Sequence, residues 1–386
     1  MTLVSTSTDP RPAANPPPHF DVPAVTALPA DHPLADGRTS ASNLVRAARC
    51  QPVDHTPVWF MRQAGRSLPE YRAVRSGVGM LEACMNAELV TEITMQPVRR
   101  YGVDAAIFFS DIVVPIKAIG VDLDIVPGVG PVIAEPVRDT AAVARLRPLT
   151  PADVAGPLTG VRALVTELGA TPLIGFAGAP FTLASYLIEG GPSRDHVATK
   201  SLMFAQPELW HRLANRLAHI AGSFLALQVA AGASAVQLFD SWAGALCEAD
   251  YREFVLPHSR TALAYVPAVP RIHFGVGTGE LLGAMATAGV EVLGVDYRVP
   301  LSTASQRAGG ALALQGNLDP AALFAGETAL HARVAAVLAD ARELPGHIFN
   351  LGHGVLPSAD PGALAAVVAQ VHEATAQPDG SSDLRC

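Results

Sequence analysis

The chain has 386 residues, 49% hydrophobic and 16% charged, which is enough apolar material for a large core and far from the composition of a disordered protein. Its 35 acidic and 27 basic residues leave a net charge of -8, which excludes a protein built around a nucleic acid or an anionic membrane surface, since both require a basic face. Length alone fits two or three domains, or one α/β barrel of about 250 residues or more.

Residues 1–40 hold eight of the 32 prolines, no lysine and no sustained apolar period, which predicts a disordered Pro/Ala-rich tail dispensable for chemistry. No basic n-region followed by an apolar run marks a signal peptide. Four cysteines at positions 50, 84, 247 and 386 are too few and too scattered for a disulfide framework. A cytoplasmic location is the expectation.

From residue 41 to 375, short apolar runs alternate with Ala/Leu/Arg segments of helical period, the βαβα pattern that yields a parallel sheet. The runs lie at 57–60, 105–109, 173–176, 235–239, 272–274, 292–295, 311–314 and 347–351. Nearly all are followed at once by a polar or glycine-rich turn. Eight strands with polar residues at their C-terminal ends are what a single (β/α)8 TIM barrel needs, because its active site is built from the βα loops on that face. An open doubly wound sheet is the other arrangement this pattern permits. The Pro/Gly stretch 126–131 predicts a hairpin or excursion, and 376–386 a flexible C-terminal tail. The uncharged stretches 168–188 and 220–239 read as a buried strand beside an amphipathic helix rather than as membrane spans, because prolines and glycines interrupt the first and two glutamines the second.

The densest chemical signal follows the first run. Arg62-Gln63-Ala64-Gly65-Arg66, with Arg72 and Arg75 beyond it, places four arginines within fourteen residues at a strand end. Guanidinium forks in such a loop suit an anionic ligand with several carboxylates or phosphates. Alternatively, Arg72 and Arg75 are solvated helix residues, and Arg62 and Arg66 pair with Glu70 or Asp54. Asp111 ends the apolar run Ile107-Phe108-Phe109-Ser110, where a carboxylate can stabilise a cation or accept N–H donors; a helix N-cap is the competing role. Asp240-Ser241 repeats the arrangement, with Asp240 as a cap and Ser241 as a ligand contact. Tyr186 lies among small residues near the start of a helix, and His353 between Gly352 and Gly354, with little local packing to satisfy its ring. No GxxxxGK[ST], HExxH or HxC cluster occurs, which argues against a P-loop nucleotidase and a metal site. Neither Lys117 nor Lys200 ends a strand, as a Schiff-base aldolase would need.

These motifs resemble one family. The segment 57–75, with Arg62-Gln63-Ala64-Gly65-Arg66, resembles the N-terminal signature of the uroporphyrinogen decarboxylases, and 175–182 with Tyr186 and Glu189-Gly190-Gly191 resembles the second. Phe109-Ser110-Asp111-Ile112, Gln237-Leu238-Phe239-Asp240-Ser241, Gln315-Gly316-Asn317-Leu318-Asp319-Pro320 and Asn350-Leu351-Gly352-His353-Gly354 also look like family motifs. The resemblance, over roughly 41–372, implies a single (β/α)8 barrel, commonly a homodimer, that uses no metal or organic cofactor. It implies loss of CO2 from the acetate side chains of uroporphyrinogen III in haem biosynthesis. It further implies that Arg62 and Arg66 bind substrate carboxylates, with Arg62 close to the reacting centre. Gln63, Ala64, Gly65 and Arg75 would lie at the cleft, Asp111 would face the pyrrole N–H groups, and Tyr186, Ser241 and His353 would line the pocket. A zinc-dependent methyltransferase on the same barrel is the closest rival, but it needs a thiolate and histidine at strand ends, and no cysteine occupies those turns. A non-catalytic tetrapyrrole-binding protein would keep the arginines and could dispense with Asp111.

Overall fold

The computed structural model describes residues 22–377. Among them are β1 (Ala106–Ile107), β2 (Leu123–Val126), β3 (Gly130–Ile133), β4 (Leu173–Gly178), β5 (Ala235–Asp240), β6 (Arg271–Gly275), β7 (Val292–Gly294), β8 (Ala313–Leu318) and β9 (His347–Leu351). β2 and β3 form an antiparallel hairpin, the excursion that the Pro/Gly stretch predicts. The other seven build one sheet in the order β1-β4-β5-β6-β7-β8-β9, every neighbouring pair parallel. Strands that neighbour in sequence thus neighbour in space, with helical crossovers between them.

Seven of the eight apolar runs are strands of this sheet. The first, 57–60, is not: it makes a single bridge, Val58 to Phe349 of β9. The reason is visible in its backbone. Pro57 has no N–H, Trp59 N–H alone makes a backbone bond, to Phe349 O at 3.3 Å, and side chains take the other donors: Val58 N–H goes to Asp104 Oδ2 at 2.7 Å, Phe60 N–H to Gln63 Oε1 at 3.0 Å and Met61 N–H to Asn350 Oδ1 at 3.1 Å. The run still touches both edges of the sheet. Phe349 N–H donates to Pro57 O at 2.8 Å on the β9 side, and Asp104 N–H to Val58 O at 2.8 Å just ahead of β1. The expected eight-stranded ring is therefore, in the observed pairing, a curled seven-stranded parallel sheet with this run between its edges.

The 24-residue helix Pro207–Ala230 shows how sequence dictates the outer layer. Proline opens its first turn, where no N–H is needed, and Trp210, Leu213, Ala214, Leu217, Ala221, Phe224 and Gln228 recur at three- and four-residue spacing along its buried stripe. Gln228 reaches β4, where Nε2 donates to Phe176 O and Oε1 accepts from Phe176 N–H. β1 is too short to pair with β4 at that point, and Gly175 leaves room for the amide, since a Cβ there would lie 2.8 Å from Gln228 Oε1. The stretches 168–188 and 220–239 are strand and helix as expected. Among the described residues no helix is long and apolar enough to cross a membrane.

The boundary placed at residue 40 is corrected. Val22 and Leu34 are buried, Val25 N–H donates to Tyr265 O at 2.7 Å, and the Thr39 hydroxyl lies 2.9 Å from that of Ser234 beside β5. Apolar anchors spaced through 22–40 dock the segment onto the sheet's N-terminal end despite its prolines. Residues 1–21 and 378–386, the remainder of the two expected tails, lie outside the described residues.

Candidate active site

The residues singled out at strand ends gather on the C-terminal face of the sheet. The loop after 57–60 turns sharply: Arg62 has a φ of 62°, a left-handed conformation that a side chain adopts only when its surroundings impose it. Gly65 closes the turn, since a Cβ there would meet Arg62 O at 2.9 Å. Arg62 and Arg66 are exposed and, among the described residues, form no ion pair. The pairings weighed from the sequence do not occur, because Glu70 takes both ends of Arg100 at 2.7 and 2.8 Å and Asp54 pairs with Arg46. Arg72 donates to Arg66 O, and Arg75 donates to Gly79 O at 2.6 Å through Nη1 and lies over the Tyr71 ring at 5.8 Å, with its Nε left without a hydrogen-bond partner among the described residues.

Gln63 requires a correction. Its side chain is fully buried, accepting from Phe60 N–H and donating to Ala105 O at 3.1 Å. The amide ties the run 57–60 to the β1 segment and is not offered to a ligand. Ala64 and Gly65 are half-buried in the same turn.

Asp111 is half-buried. One carboxylate oxygen accepts Val113 N–H at 3.0 Å, a local turn ahead of the helix Val114–Ala118, so the cap role is real but uses a single oxygen. Burial pushes its carboxyl above the ordinary value, with the Val113 N–H and the Arg62 charge opposing. Tyr186 feels the same two charges. Burial first, and then the Asp111 carboxylate, push its phenol up to about 12. Tyr186 sits late in the helix Pro180–Glu189 rather than near its start, and stacks on Trp242 with ring centroids 4.0 Å apart. Cys84, fully buried, lies against Asp111 and Arg75, with burial holding its thiol well above the usual range.

His353 is half-buried, and its glycine neighbours wedge it between two loops. A Cβ on Gly354 would lie 2.5 Å from Arg62 Cδ, and one on Gly352 would meet Tyr297 N. Burial, then the Arg62 charge, lower its imidazole below the ordinary value, which keeps it neutral at pH 7. Ser241 is half-buried at the end of β5. Asp240, read as a cap, is instead fully buried beneath the rim: Thr182 Oγ1 donates to it at 2.8 Å while accepting Trp242 N–H at 3.3 Å. Burial pushes its carboxyl up to about 7. Asp240 therefore supports Trp242 and, through it, Tyr186.

Three features escape the sequence reading. Phe108, Phe176, Phe239 and Phe274 form a row of rings across adjacent strands, with centroids 6.4, 5.4 and 6.1 Å apart and Phe239 partly exposed. This apolar base stands beside the charged loop. Its signal in the sequence is a phenylalanine shortly ahead of the turns that follow β1, β4, β5 and β6. Trp242 and Arg298 carry no local pattern.

Among the described residues one group could hold a metal. His55, Asp104 and His372 bring three ligand-type atoms within 4.8 Å of one another at the opposite, N-terminal end of the sheet. Their hydrogen bonding fits a clamp better. His55 Nε2 and His372 Nε2 each reach a different Asp104 oxygen, at 2.8 and 2.7 Å, and the Asn43 amide nitrogen faces His55 Nδ1 at 3.3 Å. A metal on Nε2 would leave Nδ1 protonated and in need of an acceptor, and Asn43 Oδ1 already accepts Asp54 N–H.

A family model described as uroporphyrinogen decarboxylase (URO-D) matches residues 39–374. A uroporphyrinogen decarboxylase of Salinispora tropica is 63% identical over 348 residues, which cover 90% of this chain and 94% of that protein. One of Streptomyces coelicolor is 64% identical over 339 residues, covering 87% and 96%. Among solved structures, a methyltransferase from Methanosarcina mazei superposes with a TM-score of 0.71 at 19% identity, covering 87% of this chain and 98% of that one, a likeness of fold.

Proposed function

We propose a role for each polar group at this rim on one premise: the chain belongs to the uroporphyrinogen decarboxylase family. It is a carboxy-lyase of haem biosynthesis, converting the four acetate side chains of uroporphyrinogen III to methyls to give coproporphyrinogen III.

Cleaving the bond to CO2 leaves an electron pair on a methylene carbon attached to an electron-rich pyrrole, with no carbonyl to receive it. A proton added to the ring carbon makes a cation that can. The pair of the breaking C–C bond moves into the ring as CO2 departs, leaving an exocyclic methylene. That carbon is then protonated as the ring proton leaves, so one proton is taken up for each CO2 lost. The cationic ring is the species to stabilise, and Asp111 supplies a negative charge in a half-buried setting where it is poorly screened. Arg62 and Arg66 hold substrate carboxylates, since neither is spent on a protein partner among the described residues. Tyr186, Ser241 and His353 line the pocket, Arg75 shapes its edge, and the phenylalanine row underlies the macrocycle. No metal or organic cofactor enters this reading.

The run 57–60 completes an eight-stranded barrel, supported by its hydrogen bonds to both sheet edges. A homodimer and a cytoplasmic location belong to the same reading. Exposed Val197 and Phe204 favour an apolar contact between copies, and sedimentation of the purified protein tests it.

The observation that carries the site assignment is the Asp111 carboxyl, raised by burial and acted on by the charge of Arg62, which has no ion-pair partner among the described residues. Coproporphyrin fluorescence after incubation with uroporphyrinogen measures turnover. Asp111→Asn loses most of it while retaining product binding, and near-normal turnover would remove Asp111 from the mechanism.

A further inference from the structure

The loop after β7 carries an arginine that the strand-end motifs do not include. Arg298 stands on the same face of the sheet as Arg62, on the far side of His353. The turn Gly352-His353-Gly354 is wedged between them: Gly354 lies against the Arg62 side chain and Gly352 against the Tyr297 backbone. Burial aside, the first charge acting on the His353 ring is Arg62, and Arg298 acts on it as well.

Arg298 is built into place. Asp296, nearly buried, accepts Gly277 N–H, Arg298 N–H at 3.0 Å and Arg298 Nη1 at 2.6 Å. Its negative charge is thus divided among three donors. Asn317 Nδ2 donates to Asp296 O at 2.9 Å and to Val299 O at 2.6 Å, which pins the turn on both sides of the arginine. The guanidinium lies over the Tyr297 ring, 4.5 Å from its centroid. Only Nη1 has a hydrogen-bond partner among the described residues, and 48% of the side chain is exposed. The Nε and Nη2 edge, which grips Glu70 in Arg100 and Glu291 in Arg271, is left open. That edge is the one suited to a carboxylate held by two parallel hydrogen bonds.

We infer that Arg298 is a second carboxylate anchor, gripping a side-chain carboxylate of the tetrapyrrole across His353 from Arg62 and fixing how the macrocycle sits in the cleft. This rests on the proposal that substrate occupies the rim of Arg62, Asp111 and His353. A substrate with eight carboxylates needs anchors on more than one side of its ring, and the 62–66 loop supplies only one. Preorganisation by Asp296 and Tyr297 lowers the ordering cost of binding. Because the anchor holds substrate, intermediates and transition state alike, its loss raises KM more than it lowers kcat.

The test is steady-state decarboxylation by wild type, Arg298→Gln and Arg298→Lys, with thermal melts alongside. Arg298→Gln raises the KM for uroporphyrinogen about tenfold, with kcat changed by about twofold or less and a melting temperature lowered by the loss of the cation beside the nearly buried Asp296, while Arg298→Lys melts close to wild type. Arg298→Lys keeps the charge beside Asp296 but lacks the second N–H edge, so it recovers only part of the loss. If the glutamine variant fails to fold, the lysine variant still reads out KM. An unchanged KM in both variants, or a KM rise only in a variant whose melting temperature falls, overturns the proposal. Asp111→Asn in the same assay separates the two readings: loss of turnover there with a normal KM in the Arg298 variants removes only this anchor, whereas full turnover in Asp111→Asn removes the reading on which it stands.

Discussion

The two ends of the sheet treat charge in opposite ways. At the N-terminal end, Asp104 is shared by His55, His372 and Val58 N–H, Arg46 pairs with Asp54, and Arg271 at the start of β6 grips Glu291 just ahead of β7. At the C-terminal end, Arg62 and Arg66 have no ion pair among the described residues, and Asp111 has one backbone donor on one oxygen. Both ends are polar because loops must be. What distinguishes them is satisfaction. Groups spent on one another hold the fold, whereas the exposed Arg62 and Arg66 and the half-buried Asp111 keep donors and an acceptor open to a ligand, at a desolvation cost that falls on Asp111.

The largest expected contrast comes from exchanging one carboxylate at each end. Asp111→Asn lowers turnover by about 100-fold or more without lowering the melting temperature. The sign follows from the raised carboxyl: a folded-state value above the unfolded one means that ionisation opposes folding, so any stability from this group is present at acid pH and lost as pH rises through the folded value. At neutral pH nothing remains for the neutral amide to remove. Asp104→Ala does the reverse, costing about 2 kcal/mol in chemical denaturation with kcat intact, because three donors at the N-terminal end lose their acceptor.

Gln63 and Arg66 sharpen the contrast within a single motif. Gln63→Ala costs about 2 kcal/mol by leaving Phe60 N–H and Ala105 O unpaired in the interior. Arg66→Gln leaves the melting temperature unchanged and raises KM about tenfold, and a stability loss there equal to that of Gln63→Ala would erase the distinction. The smallest effect is a pH dependence. Burial alone would raise the Asp104 carboxyl, but His372, Val58 N–H and His55 outweigh it and hold it below 3.8. The stability advantage of wild type over Asp104→Asn is therefore full above the ordinary carboxylate range and shrinks as pH falls through the lowered folded value. Denaturant midpoints between neutral and acid pH measure it.

Much of this was legible in the chain. Apolar runs that end in polar turns located seven strands of the sheet, and the turns located Arg62, Arg66, Asp111, Ser241 and His353 at their C-terminal ends, while Tyr186 lies late in the helix that follows β4. Local pattern could not show how hydrogen-bond donors are distributed. The run 57–60 reads as a strand like the others, yet Asp104, Gln63 and Asn350, remote in sequence or across a turn, take the N–H groups that a ladder would use. Gln63 carries the same motif signal as its neighbours, and only its partners reveal that it ties loop to sheet. Residues 22–40 look like a tail by composition, but Val22 and Leu34 are anchors once a groove exists to receive them.

The sequence by itself determined the α/β alternation, the polar strand ends and the family, because periodicity and motif are local properties of the chain. Tertiary structure alone decided which of those polar groups are spent and which are left open. That depends on what faces each one across the fold: Arg100 opposite Glu70, Thr182 opposite Asp240, and no ion-pair partner among the described residues for Arg62 and Arg66. A side chain acts on a ligand only through the donors and acceptors that the fold has left open.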